Sequence, residues 1–118
     1  MRRNVVLCVF CEIASGRISA EVLYEDELVM AFKDANPVAE HHVIVIPKKH
    51  ISSLLDIDET FDGLYDRIFK VIYRLANDLG LSESGFRVVN NCGADGGQTV
   101  PHLHFHLMGG REFGWPPG

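Results

Sequence analysis

"HLHFHL" occupies residues 102–107, inside the longer stretch "DGGQTVPHLHFHLMGG" at residues 95–110. Strict alternation of histidine with leucine or phenylalanine is the period of a β-strand. Successive side chains of a strand point to opposite faces, and same-face neighbours stand about 6.7 Å apart. His102, His104 and His106 therefore share one face. Leu103, Phe105 and Leu107 share the other, where they pack on a core or a helix. Folding alone accounts for the alternation. It does not account for the choice of histidine three times.

Outward from this strand, "EVLYEDELVMAFKD" holds two β-rich runs around the acidic turn Glu25–Glu27, the pattern of a hairpin. "HVIVIP", residues 42–47, is almost continuously apolar and β-branched, as expected of a buried strand that ends at a proline. "FRVVNN" reads as a further strand and "CGADGGQTVP" as a loop. Between them the period changes. Phe61, Leu64, Tyr65, Ile68, Phe69, Ile72, Leu75, Ala76 and Leu79 recur at steps of three and four, one apolar face of a helix. The expected helix runs over 59–79, with Asp58 as N-cap and Gly80 at its stop. Strands in an antiparallel run with one long helix give an α+β fold, with a sheet of about five strands.

The chain has 118 residues, 47% hydrophobic and 23% charged, values typical of one soluble globular domain spanning residues 1–118. Its formal charge of −5 argues against a general nucleic-acid or membrane-surface binder, but not against a local pocket for a small anion. No run approaches the ~18 apolar residues of a membrane span. The start, "MRRNVVLCVFCEI", resembles a weak signal peptide, but Glu12 interrupts its apolar run, and it is read as part of the fold. Three cysteines, an odd number, suit a reducing cytoplasm better than a disulfide framework. Cys92 stands alone in a loop and reads as an ordinary thiol.

Three explanations compete for the histidines. They are buried rings bonded to backbone carbonyls, ligands of a catalytic metal, or nucleophilic machinery acting on phosphorus. His-x-His on a strand supplies two zinc ligands, so the second explanation stands. The third draws support from the loop before the strand. Neutral imidazole is a good nucleophile near neutral pH and forms a covalent intermediate that water later cleaves. Gly93, Gly96 and Gly97 allow backbone N–H groups to approach an anion, while Gln98 and Thr99 add polar side chains.

"QTVPHLHFHL" resembles the motif of the histidine triad superfamily, and the chain as a whole is similar to its nucleotide-binding, nucleoside phosphoramidase branch. The likeness extends through "FKDANP" (32–37), "HVIVIPKKHIS" (42–52), "DLGL" (78–81) and "GGREFGWPPG" (109–118). The resemblance implies hydrolysis of purine nucleoside phosphoramidates without a catalytic metal. His104 would attack the α-phosphorus, and His106 would contact the phosphate together with Gln98, Thr99 and the backbone at Gly97. His42 matches a further histidine of the family, Asp34 the acid that binds the ribose, Phe32 the base-pocket wall, and Asn91 an asparagine near the phosphate. Thr99 replaces the family's common serine, which assists the leaving amine. His41 departs from the pattern; it has no assigned role and is expected at the surface. Cleavage of dinucleoside polyphosphates, and nucleotide binding with vestigial catalysis, are the alternatives.

"CVFC" places Cys8 and Cys11 at a spacing that supplies two zinc ligands, although redox pairs and chance also produce it. The resemblance completes the set with His50 and His102, a closed structural zinc site separate from the chemistry. It also implies a short N-terminal helix and a homodimer that extends the sheet. The tail at residues 109–118 would carry Trp115, the only tryptophan, towards the partner's substrate.

Overall fold

Asp26 turns the first hairpin. Its Oδ1 accepts from the N–H groups of Leu28 at 2.7 Å and Val29 at 2.8 Å. Its Oδ2 accepts from the Tyr24 hydroxyl and from Arg67 of the long helix. One carboxylate thus closes the turn and ties the hairpin to the helix, and these donors hold its pKa down at about 2 despite partial burial. In this computed structural model, which describes residues 8–118, the hairpin strands are β1 (Val22–Glu25) and β2 (Val29–Lys33). Residues 1–7 of the opening run lie outside the described residues.

β3 (His41–Pro47), β4 (Phe86–Val89) and β5 (Phe105–Gly109) complete a five-stranded antiparallel sheet in the order β1-β2-β3-β5-β4. A short helix α1 (Val9–Ala14) precedes the sheet, and α2 (Leu64–Asp78) lies between β3 and β4. This is the expected α+β arrangement. The pleat sorts the side chains into two cores. On one face Val43, Val45, Leu103, Phe105 and Leu107 pack under Ile68, Val71, Ile72 and Leu75 of α2. On the other, Met30, Phe32, Ile44 and Ile46 pack with Phe10 of α1. His42, His104 and His106 belong to this second face.

Two boundaries differ from the sequence expectation. Asp58 does cap a helical segment, accepting from the Thr60 N–H, but that segment is a 3₁₀ turn of three residues, Glu59–Phe61. Asp62, at φ −51° and ψ 134°, ends it, Gly63 at φ +83° completes the turn, and α2 begins one residue later. The apolar period ran through this break because Phe61 packs on the same core. The ladder of β5 likewise starts at Phe105 rather than His102. His102 and His104 are held beside it by other bonds, and they keep the alternation without strand pairing.

Gly63 has open space where a Cβ would sit, so its φ alone demands glycine. Gly63→Ala is expected to cost about 1 kcal/mol, read as a lower thermal midpoint. An unchanged midpoint would show that the break before α2 is not set there.

Candidate active site

Backbone pairing of β3 with β5 sets Ile44 opposite His106 and His42 opposite Met108. His42 Nε2 then lies 2.9 Å from His106 Nδ1 and 3.3 Å from Asp34 Oδ2. His42 Nδ1 accepts from the Val38 N–H at 3.2 Å, so the proton of the neutral ring is on Nε2 and is donated to His106 Nδ1. His106 is left with Nε2–H as a donor. His104 has the opposite tautomer. Its Nδ1 is 2.7 Å from the His102 carbonyl oxygen, which only accepts, so Nδ1 carries a proton, and in the neutral ring Nε2 is the nitrogen that holds the lone pair. Burial pushes the pKa of His42 down, against the pull of Asp34. Burial, then the neighbouring His104 and His42, push His106 down to about 4. His42 and His106 therefore stay neutral at pH 7.

His104 and His106 line a cavity of about 650 Å³. Its apolar wall comes from Val9, Phe10 and Ile13 of α1 together with Ile18, Phe32 and Ile44. Asp34, Asn36 and Thr99 supply polar lining. Four residues singled out in the sequence are thus gathered on one cavity with Phe32: Asp34, Thr99, His104 and His106. His42 joins them through His106.

The glycine-rich loop is braced from within. The Gly97 N–H donates to the Ala94 carbonyl and the Gln98 N–H to that of Gly93. The Gln98 side chain accepts from the Gly93 N–H and donates to the carbonyls of Ser52 and Val100. Asn91 Nδ2 donates to the Gly96 carbonyl, and a Cβ on Gly96 would run into the Cys92 carbonyl oxygen. Gly97, Gln98 and Asn91 therefore shape the turn that delivers Thr99, and they do not line the cavity. Trp115 is 84% exposed, also off the cavity wall. His41 is half-buried rather than fully exposed.

Two contributors had no clear sequence signal. Val9, Phe10 and Ile13 sit on a helix of six residues, under two turns, too short for a period to show. Asn90 follows the last pair of the β4–β5 ladder, Val89 with His106, and its Nδ2 donates to the His104 carbonyl at 2.9 Å. Its Oδ1 is buried without a partner, a cost of roughly 1–3 kcal/mol that the fold carries along with this bond.

A second cluster lies behind the first. Donor atoms of Cys8, Cys11, His50 and His102 all fall within 4.8 Å of one another. Sulfur–nitrogen separations are 3.3 Å for Cys8–His102, 3.2 Å for Cys11–His50 and 3.5 Å for Cys11–His102. Tetrahedral zinc, with bonds of about 2.3 Å to sulfur and 2.0 Å to nitrogen, requires an edge of about 3.5 Å. The fully buried His102 donates Nε2–H to the Pro47 carbonyl at 2.9 Å, which turns the Nδ1 lone pair towards the cysteines. Burial first, then Cys8, raises the Cys11 thiol to about 11, so without a cation it stays protonated. The donor set fits a metal such as zinc.

Residues 15–113 match the family described as the HIT domain. A HIT family hydrolase from Legionella pneumophila superposes with a TM-score of 0.92 at 46% identity, over 95% of this chain and 100% of that one. The histidine triad nucleotide-binding protein of Candida albicans gives 0.81 at 35%, over 93% and 83%. The 14 kDa zinc-binding protein of Zea mays is 41% identical over 112 residues, 93% of this chain and 87% of that protein.

The depressed pKa of His106 has a pH signature. Below the usual histidine value of about 6.5 the unfolded chain takes a proton that folded His106 refuses until about 4. Its contribution to stability is thus fully present above pH 6.5 and falls away between about 6.5 and 4. Denaturant titrations across this window are expected to show a loss of about 1–3 kcal/mol that is smaller in His106→Gln. Equal slopes for both proteins would contradict the assignment.

Proposed function

The chain belongs to the HIT domain family, and we propose that it is a nucleotide hydrolase that cleaves the P–N bond of purine nucleoside 5′-phosphoramidates. The observation that carries this reading is the bond from His104 Nδ1 to the His102 carbonyl, which leaves Nε2 unprotonated at the cavity. Nε2 attacks the α-phosphorus, the P–N bond breaks, and the nucleotide is held covalently on His104. The amine departs with a proton drawn from solvent through the Thr99 hydroxyl, and the proton lost by the water of the next step restores the balance. Water then cleaves the P–Nε2 bond, releasing the nucleoside monophosphate and restoring the ring. His106 Nε2–H donates to the phosphoryl oxygens as their charge develops, and His42 holds His106 in that tautomer.

The apolar wall of Phe10, Ile13, Phe32 and Ile44 suits a purine, and the Asp34 carboxylate suits the ribose hydroxyls. The volume lies in the range of small-molecule sites, ~300–1,000 Å³. Gln98, Gly97 and Asn91 serve the phosphate by keeping the loop in shape around it. Cys8, Cys11, His50 and His102 would hold a structural zinc. Four protein donors close a tetrahedral shell, so such an ion supplies cohesion between α1 and the sheet. The reading includes a cytoplasmic homodimer. β4 is an edge strand with Phe86 exposed, and α2 presents Phe69 and Tyr73 on the surface, which supports burial of this side against a second copy. In that dimer the tail brings Trp115 to the partner's leaving-group side. Among the described residues no helix is long and apolar enough to cross a membrane.

His104→Ala is expected to abolish hydrolysis of adenosine 5′-phosphoramidate by at least a thousandfold while AMP still binds. Rapid quench of the wild-type protein during turnover in alkaline denaturant, in which a P–N bond to imidazole survives, should yield a nucleotide mass adduct that maps to His104. Residual turnover near the wild-type rate in the variant, with no adduct in the wild type, would reject the mechanism.

A further inference from the structure

Both thiols of the four-donor cluster belong to α1: Cys8 is its N-cap, and Cys11 lies in its first turn. The same helix turns Val9, Phe10 and Ile13 to the cavity. Phe10, bracketed by the two cysteines, stands edge-on to Phe32 at 5.6 Å, to His102 at 5.9 Å and to His104 at 5.0 Å. A helix of six residues has no stability of its own and takes its position from what anchors it. Here the anchors are the buried Phe10 ring, with Ile13 and Ala14 packed on the same core, and the cluster with His50 and His102.

His102 is the sheet-side half of that anchor, and it has a second task. Its Nδ1 faces the thiols, its Nε2–H is fixed on Pro47, and its carbonyl accepts the His104 Nδ1 proton. One residue therefore joins the donor cluster to the His104 ring, and one short helix joins it to the apolar wall. The contacts run without a gap from the cysteines to both halves of the cavity.

We propose that metal occupancy at Cys8, Cys11, His50 and His102 controls the affinity of the cavity for the purine end of a nucleotide. With the ion bound, α1 is clamped against the sheet and Phe10 closes the wall opposite Phe32. Without it, α1 loses two of its ties and the wall loosens, while His106 and Thr99, on other elements, keep their positions. The metal thus acts on base binding more than on phosphate binding. This rests on the nucleotide reading above. Coupling of two ligands is reciprocal, so a bound purine nucleotide must in turn retain the metal.

The test uses full-length protein loaded with one zinc per chain and the same protein stripped by a chelator. Calorimetry measures AMP binding to each, and circular dichroism monitors the fold. A weakening of AMP on stripping by roughly tenfold is expected, within the usual span of coupling between sites. In a second arm the chelator extracts zinc from loaded protein alone, with AMP, or with ribose 5-phosphate, each ligand tenfold above its own Kd. AMP is expected to slow extraction by a similar factor and ribose 5-phosphate to leave it nearly unchanged. This arm also decides the matter if stripped protein loses its fold, because stabilisation of the fold alone makes both ligands protective. Equal AMP affinity with and without zinc, or equal protection by the two ligands, would overturn the coupling and leave the nucleotide reading intact. Failure of loaded protein to bind AMP at all would overturn both, and failure to retain zinc would overturn the metal assignment and the coupling together.

Discussion

The hydrogen bond from His104 Nδ1 to the carbonyl of His102 is the constraint on which the site depends. A carbonyl oxygen cannot donate, so this contact fixes which nitrogen of the ring is free. Everything nearby preserves it. The His102 ring is pinned by Pro47 and faces the cysteines, the His104 carbonyl is held by Asn90, and Leu103 N–H reaches the carbonyl of Ile51. The segment lies outside the strand ladder, and side-chain bonds with isolated backbone bonds replace the regular pairing there. That substitution sets ring orientation residue by residue, which a uniform ladder does not.

The alternation that made this segment conspicuous also separates stability from chemistry. Leu103, Phe105 and Leu107 bury against α2 on one face, where they contribute the ordinary apolar energy of a core. The histidines are thereby committed to the other face, with no freedom to slip, since a shift of one residue would exchange the two sets. Three rings in one row then receive three environments. His102 meets sulfur and backbone, His104 meets backbone and the Phe10 edge, and His106 meets a second imidazole backed by Asp34. A net charge of −5 is compatible with an anionic ligand here because the local donors are N–H groups of neutral rings.

The sheet, the hairpin at Asp26 and the burial of α2 were legible because each rests on a local period or turn residue. The shared cavity of Phe32, Asp34, Thr99, His104 and His106 was legible only through motif resemblance, since their convergence depends on strand order. Where local signals failed, the reasons are physical. Phe61 continued the apolar period across Gly63, whose positive φ leaves no trace in a hydrophobic pattern. α1 spans fewer than two turns, so its role as a cavity wall was invisible. Asn90 looks like any loop asparagine until the end of the β4–β5 ladder puts its amide beside His104. The loop glycines read as a direct anion cradle, whereas the N–H groups of Gly97 and Gln98 close the loop on itself.

The most direct test of the account is the protonation pattern of the imidazoles themselves. Nitrogen-15 NMR of histidine-labelled protein near pH 7, assigned by single substitutions, reports each ring nitrogen separately. The expected pattern is protonated Nδ1 with bare Nε2 on His104, and bare Nδ1 with protonated Nε2 on His106. A protonated Nε2 on His104 in the resting protein would remove the proposed nucleophile and contradict the account at its centre.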